Sequence, residues 1–429
     1  MANYLILAVC LISLLKIGRY LMNIFLVKSY LNKPWKSVGS DKCAVLLLIP
    51  VIREQKVIQQ TLNHFLSMNI DGVDLYIAIA GTSREVKREG ALTTREVVEQ
   101  WINAHPVSKT NIKEVFFCEV NEEKGDRATQ LNYAVNCFHN KHDKDELDFV
   151  GVYDADSLPS TKTIQEVRSI FAEKGYIAAC QQPVHFIKAA NRMAKDNLNP
   201  LLVANALYQT TWTVIRELPS WVRYSLTPSN TMFHENVYLI GHGEFIRYET
   251  YKSFKFPEFE VTDGIQLGYR LGMSNKKISP LREFCDDDVP QSLLQLINQH
   301  KRWFGGCMNL YDAYKWSYEH FGTKAICQLI DGYWSQACWA WASITMLIAL
   351  MLSLYIGNFT LSLAVALPIV IYTYLLPLFA HMVLPAETHV RMIDWLVLPI
   401  SIFIKCIGPN WFILEKIFKK NVTFKKVER

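Results

Sequence analysis

The sequence predicts an α/β fold: a mostly parallel sheet covered by helices, with apolar helices at the N- and C-terminal ends that are long enough to cross a membrane. Three observations carry this. Short apolar runs alternate with amphipathic stretches from residue 44 onward, and the runs end at Pro, Gly or Asp. Tyr4–Val27 and the chain beyond Ala337 hold an excess of hydrophobic residues. Residues 41–336 between them mix charged and apolar positions as a globular domain does. Alternating strands and helices imply parallel pairing through crossover helices.

The elements follow in order. "AVLLLIP" is a buried strand ending at Pro50, and "EQKVIQQTLNHFLSM" repeats Ile58, Leu62, Phe65 and Leu66 at helical spacing. "DLYIAIAG" is the second strand, and the helix of "TREVVEQWINAH" gathers Val97, Val98, Trp101 and Ile102 on one face. "VFFCEV" precedes "DRATQLNYAVNCF", whose stripe is Ala128, Leu131, Val135 and Phe138. "FVGVYDAD" and "YIAACQQ" are the fourth and fifth strands. Ligands of such sheets bind beyond the carboxyl ends of the strands. Pro50–Glu54, Gly81, Asp154 and Asp156 fall there, which is where a nucleotide should go.

Composition removes several classes. The 429 residues exceed the usual single domain, so two units are expected. A net charge of +5, dispersed along the chain, argues against a nucleic-acid partner. The ten cysteines contain no CxxC pair, and Cys43, Cys118 and Cys180 lie in apolar strands. They read as buried reduced thiols of a cytosolic part, neither a disulfide frame nor a zinc site.

Ala337–Ile356 is free of charge, and Thr360–Leu384 continues after the turn-forming "GN" at 357–358. Each can span a hydrocarbon core of about 30 Å. Asp394–Phe412 is interrupted by Pro399, Lys405 and Pro409, so it spans, re-enters or lies in the interface. At the N-terminus, Leu5–Leu15 and Leu21–Val27 are separated by Lys16 and Arg19. Cations beyond the run (Lys28, Lys33, Lys36) favour an anchor whose C-terminal side is cytoplasmic. The tail "KIFKKNVTFKKVER" is basic as well, which argues for a cytoplasmic C-terminus and an even number of C-terminal crossings.

Three stretches carry candidate chemistry. "DFVGVYDADSLPS" places Asp154 and Asp156 at strand spacing on one face, where two carboxylates repel unless water or a cation separates them; an exposed turn is the alternative. "FEVTDGIQLGYRLG" puts Asp263 ahead of a helix, where Asp263 or Thr262 also suits an N-cap. "DDDVPQSLLQLINQHKRWFGG" starts a helix near Pro290 after acids that suit its positive end. On it Gln299, Arg302, Trp303 and Gly306 share a face, which also fits an amphipathic helix at a membrane surface.

Assembled, these pieces resemble the membrane-bound family 2 glycosyltransferases of the processive cellulose, chitin-oligosaccharide and hyaluronan synthase branch. "IPVIRE" is similar to the opening strand and nucleotide loop, with Pro50 and Glu54. "GDRATQLNYAV" is similar to "GKAxALNxAL", with Arg127 at the lysine position. "DAD" resembles the metal-binding DxD, "TDGIQLGYRL" the "EDxxLxxRL" segment, and "QHKRW" the QxxRW motif. "LIGHGEFIRYE" resembles the loop flanking the acceptor, with Gly241, His242 and Gly243; core packing is the alternative role for His242.

The resemblance implies a GT-A-like, Rossmann-type domain over residues 41–285 and interfacial helices carrying QxxRW over 286–336. A membrane anchor over 1–30, a membrane block over 337–415 and a basic tail over 416–429 complete it. It implies an inverting, metal-dependent transfer of a hexosyl or N-acetylhexosaminyl group from a nucleotide-sugar, UDP-linked in the resembling group. The product would be a growing polysaccharide or oligosaccharide at the cytoplasmic face of the plasma membrane. Asp156 would hold Mg2+ or Mn2+, and Asp154 would bridge it to the nucleotide-sugar. Asp263 would be the catalytic base, Gln299 and Arg302 would bind the donor phosphates, and Trp303 would stack on the acceptor sugar. The acceptor would be a glycan or lipid-linked, with export partners.

Two departures matter. The second strand ends "AIAGTS" without the aspartate that reads the base, and Thr262 replaces the glutamate before Asp263. The sparse membrane block looks more like the chitin-oligosaccharide synthases. It also leaves room for single-sugar transfer to a lipid-linked acceptor, or for a non-catalytic subunit that binds nucleotide or glycan.

Overall fold

The computed structural model describes residues 2–35, 42–68, 70–85, 91–105, 111–121, 125–142, 147–187, 199–228, 234–287, 289–384 and 390–418. Most of the basic tail therefore lies outside the described residues.

Strands β1 (Cys43–Pro50), β2 (Val73–Thr82), β3 (Ile112–Val120), β4 (Phe149–Val152), β5 (Ile177–Gln181), β7 (Glu244–Arg247) and β8 (Lys277–Pro280) form one sheet in the order β3-β2-β1-β4-β7-β5-β8. All neighbours pair in parallel except β7, which runs antiparallel to β4 and β5. Two short strands, β6 (Val184–His185) and β9 (Cys285–Asp286), pair separately. The fold is thus the mostly parallel α/β sheet that the alternating pattern predicts.

Side chains of successive strand residues point to opposite faces, and the core divides accordingly. Val45, Leu47 and Ile49 pack with Leu62, Phe65, Val98, Trp101 and Ile164 on one side. Leu46 and Leu48 pack with Leu131, Val135 and Phe138 on the other. The helices bear out their stripes: Ile58–Ser67, Thr94–Ala104 and Arg127–Lys141 bury the predicted apolar positions, with Leu66 and Ile102 partly covered. Capping boxes start the last two, Thr93 with Glu96 and Asp126 with Thr129. None of the ten cysteines forms a disulfide.

Among the described residues, four helices are long and apolar enough to cross a membrane: Ala2–Leu31, Ile326–Tyr355, Phe359–His381 and Leu398–Phe418. The first is continuous, so the charges that divide it in sequence do not break it. Arg19 instead pairs with Glu235 at 2.6 Å, and Asn23 and Tyr30 bond to the backbone of Ile215 and Pro280. The N-terminal part is apolar and exposed, as at Leu5, Leu11 and Leu15. One helix therefore exposes an apolar surface at one end and docks on the sheet domain at the other. The last segment, left open by hydropathy, is a short helix, Met392–Leu396, followed by Leu398–Phe418, which holds Pro399 in its first turn and runs on through Pro409.

Two expectations need correction. Strand β4 stops at Val152, so Asp154 and Asp156 are not strand positions sharing a face. They lie in a turn closed by Ser157 N–H donating to the Asp154 carbonyl at 3.0 Å. The QxxRW helix starts at Leu293, capped by Ser292, and is preceded by Asp286 at the end of β9. It packs along Leu398–Phe418, with Lys301 and Glu415 paired at 2.6 Å.

Candidate active site

A cavity of about 820 Å³ opens beyond the carboxyl ends of β1 and β4. It is lined by Pro50, Glu54, Arg127, Asp154, Gly241, His242, Asp263, Gln299, Arg302 and Trp303. Of the site residues named from sequence, Asp156 and Gly243 are the two that do not line it, although both adjoin residues that do.

Arg127 organises the centre. As the first residue of its helix it is delivered to the cavity by the Asp126 cap. Its Nη1 donates to Asp263 Oδ2 at 2.6 Å, and its Nη2 donates to Asp154 Oδ1 at 3.3 Å and to the Gly241 carbonyl. Burial works against its charge, but Asp263, Asp154 and Glu244 outweigh that and raise its pKa. Two acids that are distant in sequence thus sit on one guanidinium.

Asp263 opens the helix Asp263–Met273, and its neighbour Thr262 is the cap residue without a side-chain capping bond. That helix approaches its neighbours through glycines. A Cβ at Gly264 would meet Gly241 Cα at 2.3 Å, and one at Gly268 would meet Leu239 N at 2.0 Å. Gly306, on the QxxRW helix, makes the same close approach to Thr262 Oγ1. These contacts bring the 239–243 loop, Asp263 and the QxxRW helix to one place. Gly241 and Gly243 have φ of +91° and +59°, a region that other residues rarely adopt.

Several participants carry no clear signal in sequence. Gln181, at the end of β5, donates to the carbonyls of Gln182, His242 and Gly243 and accepts from Ile240 N–H, which holds the loop. Glu244 is fully buried on β7 behind the loop. Burial, with the nearby charge of Asp263, pushes its carboxyl up to about 8 against the opposing pull of Arg127. Asp287 lines the cavity 3.9 Å from His242 Nε2. Its signal was the "DDD" run, which sequence reasoning assigned to a helix end.

The donor chemistry here suits a hard divalent cation. Burial holds the Cys285 thiol well above its ordinary value, and the charges of Asp287, Asp286, Asp156 and Asp154 add to it. No group of three or more His, Cys, Asp or Glu ligands is preassembled among the described residues. A Mg2+-type ion needs only one or two carboxylates when substrate phosphates and water complete its shell, so the residues present fit such a cation. Trp303 stands beside the centre, its ring 6.5 Å from Phe186 and 5.8 Å from His300.

The family model described as glycosyl transferase family group 2 matches residues 149–383, more than half of the chain. A mannosyltransferase from Pyrobaculum calidifontis, PcManGT, solved with GDP-Man and Mn2+, is similar at 15% identity and a TM-score of 0.56. The match covers 96% of this chain and 99% of that one. S. aureus TarS 1-349 matches at 10% identity and a TM-score of 0.42, over 89% of this chain and 93% of that one. No curated protein sequence matches.

Proposed function

Because the chain belongs to glycosyl transferase family group 2, we propose that it transfers a sugar with inversion from a nucleotide-sugar to a hydroxyl of a growing oligosaccharide or polysaccharide at the cytoplasmic membrane face. The observation that carries this is the pair of acids on one guanidinium, Asp154 and Asp263 on Arg127, in a cavity that the QxxRW residues also line. We read residues 41–285 as the catalytic domain, 286–336 as its membrane-side helices and 337–415 as the membrane block.

In this reading Asp263 accepts the proton of the acceptor hydroxyl as its oxygen attacks the anomeric carbon. The bond from that carbon to the diphosphate oxygen breaks on the opposite face, and the nucleoside diphosphate leaves. General-base help is typically worth about 10²–10⁴-fold. Arg302 offers two parallel N–H donors to phosphate oxygens, and Gln299 adds a neutral one. Trp303 offers a flat apolar face to the acceptor ring. Asp156 and Asp154 would hold Mg2+ or Mn2+, which supplies positive charge against the departing diphosphate.

The resemblance points to UDP-sugars, and the GDP-Man held by the Pyrobaculum enzyme puts GDP-sugars beside them. Nucleoside diphosphate release across a panel of both, with product length read on a gel, tests the proposal. A ladder of products is expected, and no release with any donor overturns it. One added sugar would favour a second reading, transfer to a lipid-linked acceptor. The specific support for that reading is the cavity itself, which continues from Asp263 among the apolar helices.

A further inference from the structure

The cavity does not end at the carboxylates. It runs on between the apolar helices, where Lys16, Tyr208, Tyr372 and Lys405 line it together with the apolar side chains of Met346 and Leu350. Lys16 and Lys405 are charges that interrupt the first and last apolar segments in sequence. Both are turned into this space rather than toward an acid. Among the described residues no carboxylate pairs with either, and Glu415, ten residues further along the helix of Lys405, is engaged by Lys301 at 2.6 Å.

Lys405 is 4% exposed. Its Nζ donates to the hydroxyls of Tyr208 and Tyr372 and lies 3.8 Å from the centre of the Tyr208 ring. Tyr372 sits on a π-helical turn, Ile371–Leu375, inside the Phe359–His381 helix. Such turns are uncommon and recur at functional sites. Burial and the Lys405 charge push His300 down to about 3, so its imidazole stays neutral and adds no second positive charge.

A buried ammonium is costly unless it is paired, and in a membrane segment it marks a site. Hydroxyls and ring faces soften the cost without neutralising the charge. An anion that also suits the adjoining apolar wall is needed.

We propose that this end of the cavity binds the phosphate or diphosphate of a long-chain lipid that bears the acceptor. The anion sits between Lys405 and Lys16, the hydroxyl proton left free by the Tyr208–Tyr372 hydrogen bond is donated to its oxygens, and the chain lies along the apolar helices. The acceptor hydroxyl then extends toward Asp263. This rests on the glycosyltransferase reading of the carboxylate end.

The test is binding of polyprenyl phosphate to the full chain in detergent, with no sugar nucleotide present, followed by native mass spectrometry or thermal shift. The comparison ligands are the polyprenol of the same length, phosphatidylglycerol, inorganic phosphate and a neutral oligosaccharide. Polyprenyl phosphate should bind at least tenfold more tightly than each of these. Lys405→Gln should lose that preference, Lys405→Arg should keep most of it, and Lys16→Gln should weaken it. If Lys405→Gln does not purify as a folded protein, Lys16→Gln carries the same comparison. Equal binding of the alcohol, phosphatidylglycerol or free phosphate, preference for the oligosaccharide, or wild-type affinity in both Gln variants overturns the proposal. Donor cleavage by the wild type is scored separately, so failure of lipid binding and failure of the glycosyltransferase reading are distinct results.

Discussion

Arg127 Nη1 donates to Asp263 Oδ2 at 2.6 Å, joining the first residues of two helices that lie 136 positions apart. The same guanidinium reaches Asp154, so one cation sets the spacing between the two acids, which in the proposed reading face the nucleotide and the acceptor. The family pattern has lysine at this position. A lysine offers a compact point charge, whereas the planar fork of Arg can hold both acids and the Gly241 carbonyl at once. Asp263 is therefore oriented before any substrate arrives.

That orientation separates binding from turnover. Asp263→Asn keeps the side chain's shape and an oxygen facing Arg127 but cannot take a proton. Transfer should fall by about 10²–10⁴-fold, while donor affinity, measured by calorimetry, changes little. Retained turnover would falsify the base assignment.

Metal dependence is the second expectation. EDTA should stop transfer, and Mn2+ or Mg2+ should restore it. Asp156→Ala should raise the metal concentration needed for half-maximal rate by at least about tenfold, in line with losing one of few carboxylate ligands. A metal titration on the purified enzyme reads this directly. An unchanged titration curve in the variant removes Asp156 from the metal site.

Trp303 borders the cavity while resting on Phe186 and His300, so its truncation leaves the donor side intact. Trp303→Ala should reduce sugar transfer to the acceptor by about fivefold or more, as expected for loss of stacking worth about 1 kcal/mol or more. Hydrolysis of the donor by water should change far less. Equal losses in the two assays would count against stacking.

Much of this was legible in the chain. β1 to β5 announce themselves as apolar runs closed by turn residues, and the helices by stripes at 3.6-residue spacing. β6 to β9 were not legible, because runs of two to four residues show no periodicity and owe their existence to partners far away in sequence. The site residues were named from local motifs, but their coupling through Arg127 is a tertiary fact that no local window contains. The Asp154 and Asp156 pair was read by strand parity, and the turn after Val152 breaks that parity. Gln181 closes an apolar run and Glu244 follows the "GHG" loop, and nothing in their type or spacing sets them apart in sequence. Only the approach of the 239–243 loop gives them work.

Glu244 supplies a pH signature. Its folded-state pKa, about 8, stands above that of an unfolded glutamate. Between those two values the folded protein keeps a proton that the unfolded chain has lost. The stability from the neutral buried carboxyl is complete below the unfolded pKa and is lost as pH rises through about 8. The loss is up to about 1.4 kcal/mol per pH unit within that window. Glu244→Gln should flatten the fall in Tm between about pH 5 and 8.5. Parallel Tm curves for variant and wild type would assign the pH dependence to other groups.

The final expectation concerns the glycine face of the Asp263–Met273 helix. A methyl at Gly268 would lie 2.0 Å from Leu239 N and 2.5 Å from the Tyr238 carbonyl carbon, and neither backbone atom can rotate away. The helix or the 239–243 loop must shift. Arg127 holds the Gly241 carbonyl and Gln181 holds the His242 carbonyl, so the displacement reaches the site. Gly268→Ala should lower stability by about 1–3 kcal/mol, as overpacking does, and should reduce transfer more than the stability loss accounts for. Gly175→Ala is the control, because a Cβ there meets nothing within 4 Å. Chemical denaturation and initial rates on both variants decide it. If Gly268→Ala unfolds and turns over as the control does, close packing of this helix is not what positions Asp263.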